Sequence, residues 1–566
     1  MNVKHDSRPT TATLLALLLL LLPVHTAGAL SQQTATDPDL TLAELTLTNG
    51  DCRAAAEKFQ KLAVRRREAA VAERAAAVGA QCSHLDAELK SARRWQALDP
   101  KSPDAARARA LAAIKLGLTG EARDALGEFH QMATDRGVIE AIPVASEAVG
   151  AWPLFTALTP VFDSPKARYD LLIAASDLAL DAFDFAAAER YADRALDEDP
   201  ASGEARARLA TTHAMRGESI DAIALAREAV ALAPDDRRFA VVDTLVRLDR
   251  LAEARQELTS MQADGIAAVE AELRLARLDF QAGDLDAAQR RFGALLQAKD
   301  AAPEAFYFLS MIAERQKKFD VALEGYQRLI SAGAGVMVRS RAARLLLKRG
   351  DQNDAFALLD AVVTADPSAG LEVELIKASL LDEQKQGEAS LAILDSASER
   401  FANHPSVRYQ RALALDKLGQ YRDSFKLLEV LLKDRPDDPT IMNAYGYSLA
   451  DRNQQLPRAE QLIVKALAAA PDNPAVLDSL AWVRFRHGDA ASALPLLERA
   501  YRVFPDAEIA AHWGEVLWAL ERQAEARVIW ARALARSPDA EILRATIVRL
   551  TGAEPVPPPT EAATTI

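Results

Sequence analysis

Two cysteines, Cys52 and Cys82, stand 30 residues apart in a chain of 566 residues. Thiols can pair with each other, bind a metal or attack a substrate, and their neighbours decide which. No close set of cysteine and histidine with metal-ligand spacing surrounds them. Beyond the first thirty residues the histidines are single: His84, His130, His213, His404, His487 and His512. A lone histidine on a helix or turn is more often a surface or satisfied residue than a ligand. The sequence has no Gly-rich phosphate loop, no His-Glu-x-x-His and no Gly-x-Ser-x-Gly, the spacings that phosphate binding, zinc hydrolysis and acyl transfer require. The expectation is a protein that is not an enzyme, with no cofactor and no metal site. With 81 acidic against 68 basic residues the formal charge is −13, which repels a phosphate backbone, so no nucleic acid partner is expected.

What remains is the chemistry of contact. Trp482, Trp513, Trp518 and Trp530 are four of the six tryptophans, and Tyr445, Tyr447, Phe485, Tyr501 and Phe504 lie among or near them. Large rigid aromatics anchor protein interfaces, and they also fill cores. The elements that must position them are visible in the spacing of proline. Pro436 to Pro471 is 35 residues, Pro471 to Pro505 is 34, Pro505 to Pro538 is 33, and Pro200 to Pro234 is 34. Between two such prolines, Leu477, Leu480, Ala481 and Phe485 make one apolar helical face. His487-Gly488-Asp489 makes a turn, and Ala493, Leu497 and Ala500 make a second face. Small residues at the crossing let helix axes approach to about 8–10 Å. Helix pairs with this period resemble the tetratricopeptide repeat, with Leu477 where that repeat usually has Trp.

Walking the period backwards through Gly419, Gly350, Ala322 with Tyr326, Ala288 with Phe292, Gly217 and Ala188 gives an all-α fold, a tetratricopeptide-repeat superhelical solenoid of about 12–15 helix pairs. In that frame Asn443, Tyr447, Asp478, Trp482 and Phe485 point inward and form a candidate partner-binding groove, with core filling as the competing reading. Cys52 and Cys82 fall near the turn between the two helices of successive repeats. A disulfide there would staple the N-terminal end in an oxidising compartment. Stacked helices lie roughly 10 Å apart and a disulfide needs Cα atoms under about 7 Å, so two separate buried thiols stay open as the alternative.

The chain divides by composition. Residues 1–29 read as a signal peptide: Lys4 and Arg8, the apolar run Leu14 to Val24, then Ala27-Gly28-Ala29 as a cleavage site. Eleven apolar residues are too few for a comfortable membrane span, so cleavage is expected, with retention as an anchor the alternative. Residues 38–137 read as N-terminal repeats and 138–166 as an irregular helical joint broken by Pro143, Pro153, Pro160 and Pro165. Residues 167–550 read as the main and C-terminal repeats, and 551–566, with Pro555 and Pro557 to Pro559, as a disordered tail. A hydrolase hidden in the irregular stretch would have to rest on His130 or Asp163.

Two stretches carry a more specific resemblance. One runs from Asn443-Ala444-Tyr445-Gly446-Tyr447 through Leu477-Asp478-Ser479-Leu480-Ala481-Trp482 and Leu496-Leu497-Glu498-Arg499-Ala500-Tyr501 to His512-Trp513-Gly514-Glu515. The other is Val71-Ala72-Glu73-Arg74-Ala75 with the helix of Trp95. Together they resemble the tetratricopeptide adaptor lipoproteins of Gram-negative bacteria that bind a periplasmic carboxyl-terminal processing protease. The resemblance implies a non-catalytic periplasmic scaffold that recruits the protease and presents cell-wall hydrolases to it for degradation. Members of that family are tethered to the outer membrane through a lipobox cysteine, whereas position 30 here is Leu. A scaffold for envelope assembly or polysaccharide export without a protease is the alternative reading.

Overall fold

The computed structural model describes residues 37–234, 238–402 and 404–554. The expected leader, 1–29, lies outside them, as does the tail from residue 555 onward. Among the described residues thirty α-helices and one short 3-10 turn follow one another, with no strand between them. None of these helices is long and apolar enough to cross a membrane.

Each pair is written into its ends. The helices Pro439–Asp451 and Pro474–Arg486 begin with proline, whose missing N–H is no loss in a first turn. Asp438 caps the first by accepting from Thr440 N at 3.0 Å and Ile441 N at 3.3 Å, and Asn473 caps the second by accepting from Ala475 N and Val476 N at the same distances. Gly488, with φ 92°, turns the chain back, and Asp489 caps the return helix Ala490–Val503 through Ser492 N at 3.1 Å. At the crossing Ala481, Ala493 and Ala500 are all fully buried.

Contacts gather the chain into two units, one built on residues 258–393 and one on residues 39–257 together with 394–566. In the first, Phe280, Phe292 and Phe308 share a core in which the rings of Phe292 and Phe308 stack at 4.7 Å, and Tyr326 lies fully buried among Ala322, Val338 and Ala342. In the second, a continuous core runs from Leu89 to Ala205. It passes straight through the proline-broken stretch. There the helix Thr119–Val149 bends at Thr134 (φ 64°, ψ 177°), Gly150 (φ 83°) ends it, and the helix Ala151–Phe162 follows. Val138, Ala145, Leu154, Phe155, Leu158 and Phe162 all belong to that core. Over 138–166 Pro143 and Pro160 lie inside helices, the break falls at Gly150, and the packing stays continuous.

Cys52 and Cys82 are joined by a disulfide with Cα atoms 5.3 Å apart. Cys52 opens the helix Cys52–Arg65 and Cys82 directly follows the helix Ala69–Gln81. These helices belong to successive pairs and run antiparallel, so the start of one lies beside the end of the next. The roughly 10 Å spacing holds between helix axes, whereas two ends that face each other can bring their Cα atoms much closer.

Candidate functional site

The five residues expected to face inward sit on two neighbouring first helices, Pro439–Asp451 and Pro474–Arg486, and a third helix, Ala507–Ala519, packs beside them. Three of the five, Asp478, Trp482 and Tyr447, are drawn together by a residue from that third helix, His512. Both carboxylate oxygens of Asp478 lie 3.0 Å from His512 Nδ1. The Trp482 ring stacks on the imidazole with centroids 4.2 Å apart and planes 20° apart. Tyr447 approaches the same ring at 6.2 Å and donates its hydroxyl to Glu508 Oε1 at 3.0 Å. Phe485 packs on Trp482 at 5.5 Å, and the Arg486 guanidinium lies 5.7 Å above the Trp482 ring.

Burial works against a charged imidazole here, but Asp478, with Glu508 and Glu515 behind it, more than offsets that penalty and holds His512 above its ordinary value. Burial first, and then the Glu508 carboxylate, push the Tyr447 hydroxyl well above the usual tyrosine range. Asp478 and Trp482 are 6% and 5% exposed, so they are spent on this buried contact, and Tyr447 and Phe485 form its half-buried margin. Asn443 stands one turn before Tyr447, and its buried Oδ1 has no hydrogen-bond partner, nor has Trp482 Nε1. The histidine is an ion-paired structural group: rings cover it, and Ser479 beside Asp478 donates its hydroxyl to the Ala475 carbonyl instead.

Other candidate groups are engaged locally. His130 Nε2 lies 2.6 Å from Asp135, and Asp163 accepts the Tyr191 hydroxyl at 2.8 Å, so no contact joins the two. A cleft of about 630 Å³ is lined by Arg93, Gln96, Arg109, Glu121, Glu128 and Met132. Its arginines and glutamates pair with one another: Arg93 with Glu121, while Arg109 reaches Gln96 at 2.7 Å and Glu128 at 3.3 Å. Among the described residues no group of three or more histidine, cysteine or carboxylate side chains is placed to hold a metal ion. His512 and Glu508 were not singled out, although Asp478 and His512 are 34 residues apart, one full period.

Residues 273–336, 409–474 and 479–541 match one family described as tetratricopeptide repeat, and residues 179–242 match a second of the same description. A TPR repeat-containing protein of Pseudomonas aeruginosa is 30% identical over 250 residues, which is 44% of this chain and 42% of that protein. The chain therefore spans less than half the length of that relative. Among solved structures, yeast Tom70 aligns with 68% of this chain and 95% of its own at 14% identity and a TM-score of 0.37. A thermophilic TPR protein of Thermus thermophilus aligns with 32% of this chain and 100% of its own at 19% identity and a TM-score of 0.30.

Proposed function

We propose, on the premise that the chain is a tetratricopeptide-repeat protein, that it is an exported adaptor holding a carboxyl-terminal processing protease and its cell-wall hydrolase substrates on one surface. Repeats of this kind make protein-protein interaction scaffolds, and the finer reading rests on one feature. Much of the C-terminal stretch that resembles the protease adaptors lies on the three helices Pro439–Asp451, Pro474–Arg486 and Ala507–Ala519, where Tyr447, Trp482, Phe485 and His512 gather. Aromatic residues of this kind, backed by a rigid buried contact, are what a docking anchor requires.

The mechanism needs no chemistry from the chain. Two partners held side by side meet at an effective concentration set by geometry, far above their concentration in solution. The leader-like residues 1–29 support export, and the Cys52–Cys82 bridge is compatible with an oxidising compartment. Photo-crosslinking in intact cells from Tyr447 and Phe485, read by mass spectrometry, tests the reading. A processing protease or a cell-wall hydrolase is the expected product. Recovery of envelope-assembly proteins alone would overturn the protease assignment and favour a general assembly scaffold.

A further inference from the structure

Within the unit formed by residues 39–257 and 394–566, a second set of contacts runs between repeats that are hundreds of residues apart. The N-terminal repeats contribute the turns that close their first helices. The left-handed residues of these turns are Gly117 (φ 74°), Phe183 (φ 57°), Gly217 (φ 83°) and Asp249 (φ 58°). The C-terminal repeats contribute the ends of their second helices and the residues just after them, at Arg435, Asp472, Arg502 and Arg536. The pairing keeps step along the chain. A Cβ on Gly117 would lie 2.9 Å from Arg435 Nε, and one on Gly217 would lie 2.7 Å from Arg502 Nε. Arg502 Nη1 donates to the Arg216 carbonyl at 2.7 Å, and Arg536 pairs with Asp249 at 2.8 Å.

Three of the bonds cap a helix end in one series with a side chain from the other. Arg216 is the last residue of its helix, so its carbonyl lacks an intrahelical partner until Arg502 supplies one. Phe185 is the first residue of the helix Phe185–Glu198, and its N–H donates to Asp472 Oδ2 at 3.0 Å. The Asp472 N–H in turn donates to the Phe183 carbonyl at 3.0 Å. Trp152 Nε1 donates at 2.8 Å to the carbonyl of Ala469, the last residue of the helix Leu456–Ala469. Trp152 and Phe183 thus converge on one C-terminal turn, 469–472. That convergence absorbs the proline-broken stretch, which adds a helix to the N-terminal series without a matching one opposite.

We infer that these contacts form a reversible clasp, in which the turn edge of the N-terminal repeats docks on the helix ends of this chain's own C-terminal repeats. Its bonds are few and polar; those of Arg502 (36% exposed) and of Arg536 with Asp249 (36% and 58% exposed) face solvent, while the two between Asp472 and the Phe183–Phe185 turn are buried. Exposed contacts of that kind contribute little each, and the buried bonds are only two, so the edge opens without unfolding the helices on either side. The inference does not depend on which partner the chain binds.

Amide hydrogen exchange on the full chain tests it, because the Phe185 and Asp472 amides are held only by clasp bonds. The double variant Arg502→Ala/Arg536→Ala is expected to speed exchange at both amides about tenfold, with the interiors of the helices Gly203–Arg216 and Pro474–Arg486 unchanged. Trp152→Phe keeps an aromatic ring and removes the donor, and should give the same local acceleration if the arginine variant folds poorly. Unchanged exchange at Phe185 and Asp472 in both variants would overturn the clasp. So would a uniform rise through both helix interiors, since that would make the contact part of global folding.

Discussion

At the scale of single residues, the contact of Asp478, His512 and Trp482 is a buried ion pair under an aromatic lid, and its energetics are lopsided. Removing one charge leaves the other desolvated and alone, whereas replacing both by apolar groups of similar volume is often close to neutral. Asp478→Ala should therefore cost about 3 kcal/mol or more in urea denaturation, and Asp478→Leu with His512→Leu far less than the sum of the single changes. Additive losses would mean the pair is not a buried charge pair. The histidine's value is raised in the folded state, so its contribution is complete below the ordinary histidine value and fades as pH rises through the folded value above it. Gly446 presents a second contest. Alanine is favoured over glycine in a helix by about 1 kcal/mol. Here a Cβ would meet Ile463 Cγ1 at 2.6 Å and the Ala459 carbonyl oxygen at 2.9 Å, and a helix backbone cannot easily retreat. Gly446→Ala should lower Tm despite its better propensity, with a net loss of about 1–2 kcal/mol. A rise in Tm would show that the helix pair has slack at this crossing. Periodicity sets Asn443 one turn from Tyr447, and Asp478 one turn from Trp482 and two from Phe485. It could not tell which of them would be buried against a side chain of the following helix, because that depends on how far successive pairs rotate.

At the scale of elements, the turn His487-Gly488-Asp489 was legible because it is local chemistry, and the caps Asp438, Asn473 and Asp489 are equally local, each accepting from the backbone a few residues on. The stretch 138–166 was legible only as a disturbance. Proline announces a lost hydrogen bond, but whether the helix resumes depends on the apolar surface waiting on the other side, here Leu154, Leu158 and Phe162. His404 is a cap whose meaning is likewise set from outside its own helix. Its Nδ1 accepts from Ser406 N at 3.2 Å at the start of the helix Pro405–Lys417. Burial, and then Lys115, Arg435 and Arg408, push its pKa down to about 4 from the usual 6.5. An unfolded chain would take up a proton there that the folded chain refuses. Stability should thus be complete above about pH 6.5 and fall as pH drops toward about 4. His404→Asn keeps an acceptor for the cap and removes the titration, so the fall between those values should be shallower than in the parent when denaturation midpoints are compared. Identical slopes would assign the acid sensitivity to other groups.

At the scale of the whole molecule, the repeat period was plain in the prolines, while the return of residues 394–566 onto 39–257 was not. A period describes each repeat and its neighbour, and contacts some 300 residues apart leave no mark on it. Aromatic residues make the two units separately observable. All six tryptophans, Trp95, Trp152, Trp482, Trp513, Trp518 and Trp530, lie in the unit of 39–257 and 394–566, and none lies in 258–393. Tryptophan fluorescence therefore reports the first of these, while far-UV circular dichroism reports helices in both. In an array held by nearest-neighbour contacts alone the stability is a sum of local terms, and the unit with long-range contacts has an added source of cooperativity. Urea unfolding should accordingly be probe-dependent, with part of the dichroism lost before the fluorescence changes and the tryptophan transition at the higher midpoint. Superimposable curves would mean that the chain unfolds as one cooperative block. A fluorescence transition that came first would mean that the added contacts between distant repeats contribute less than the packing inside 258–393.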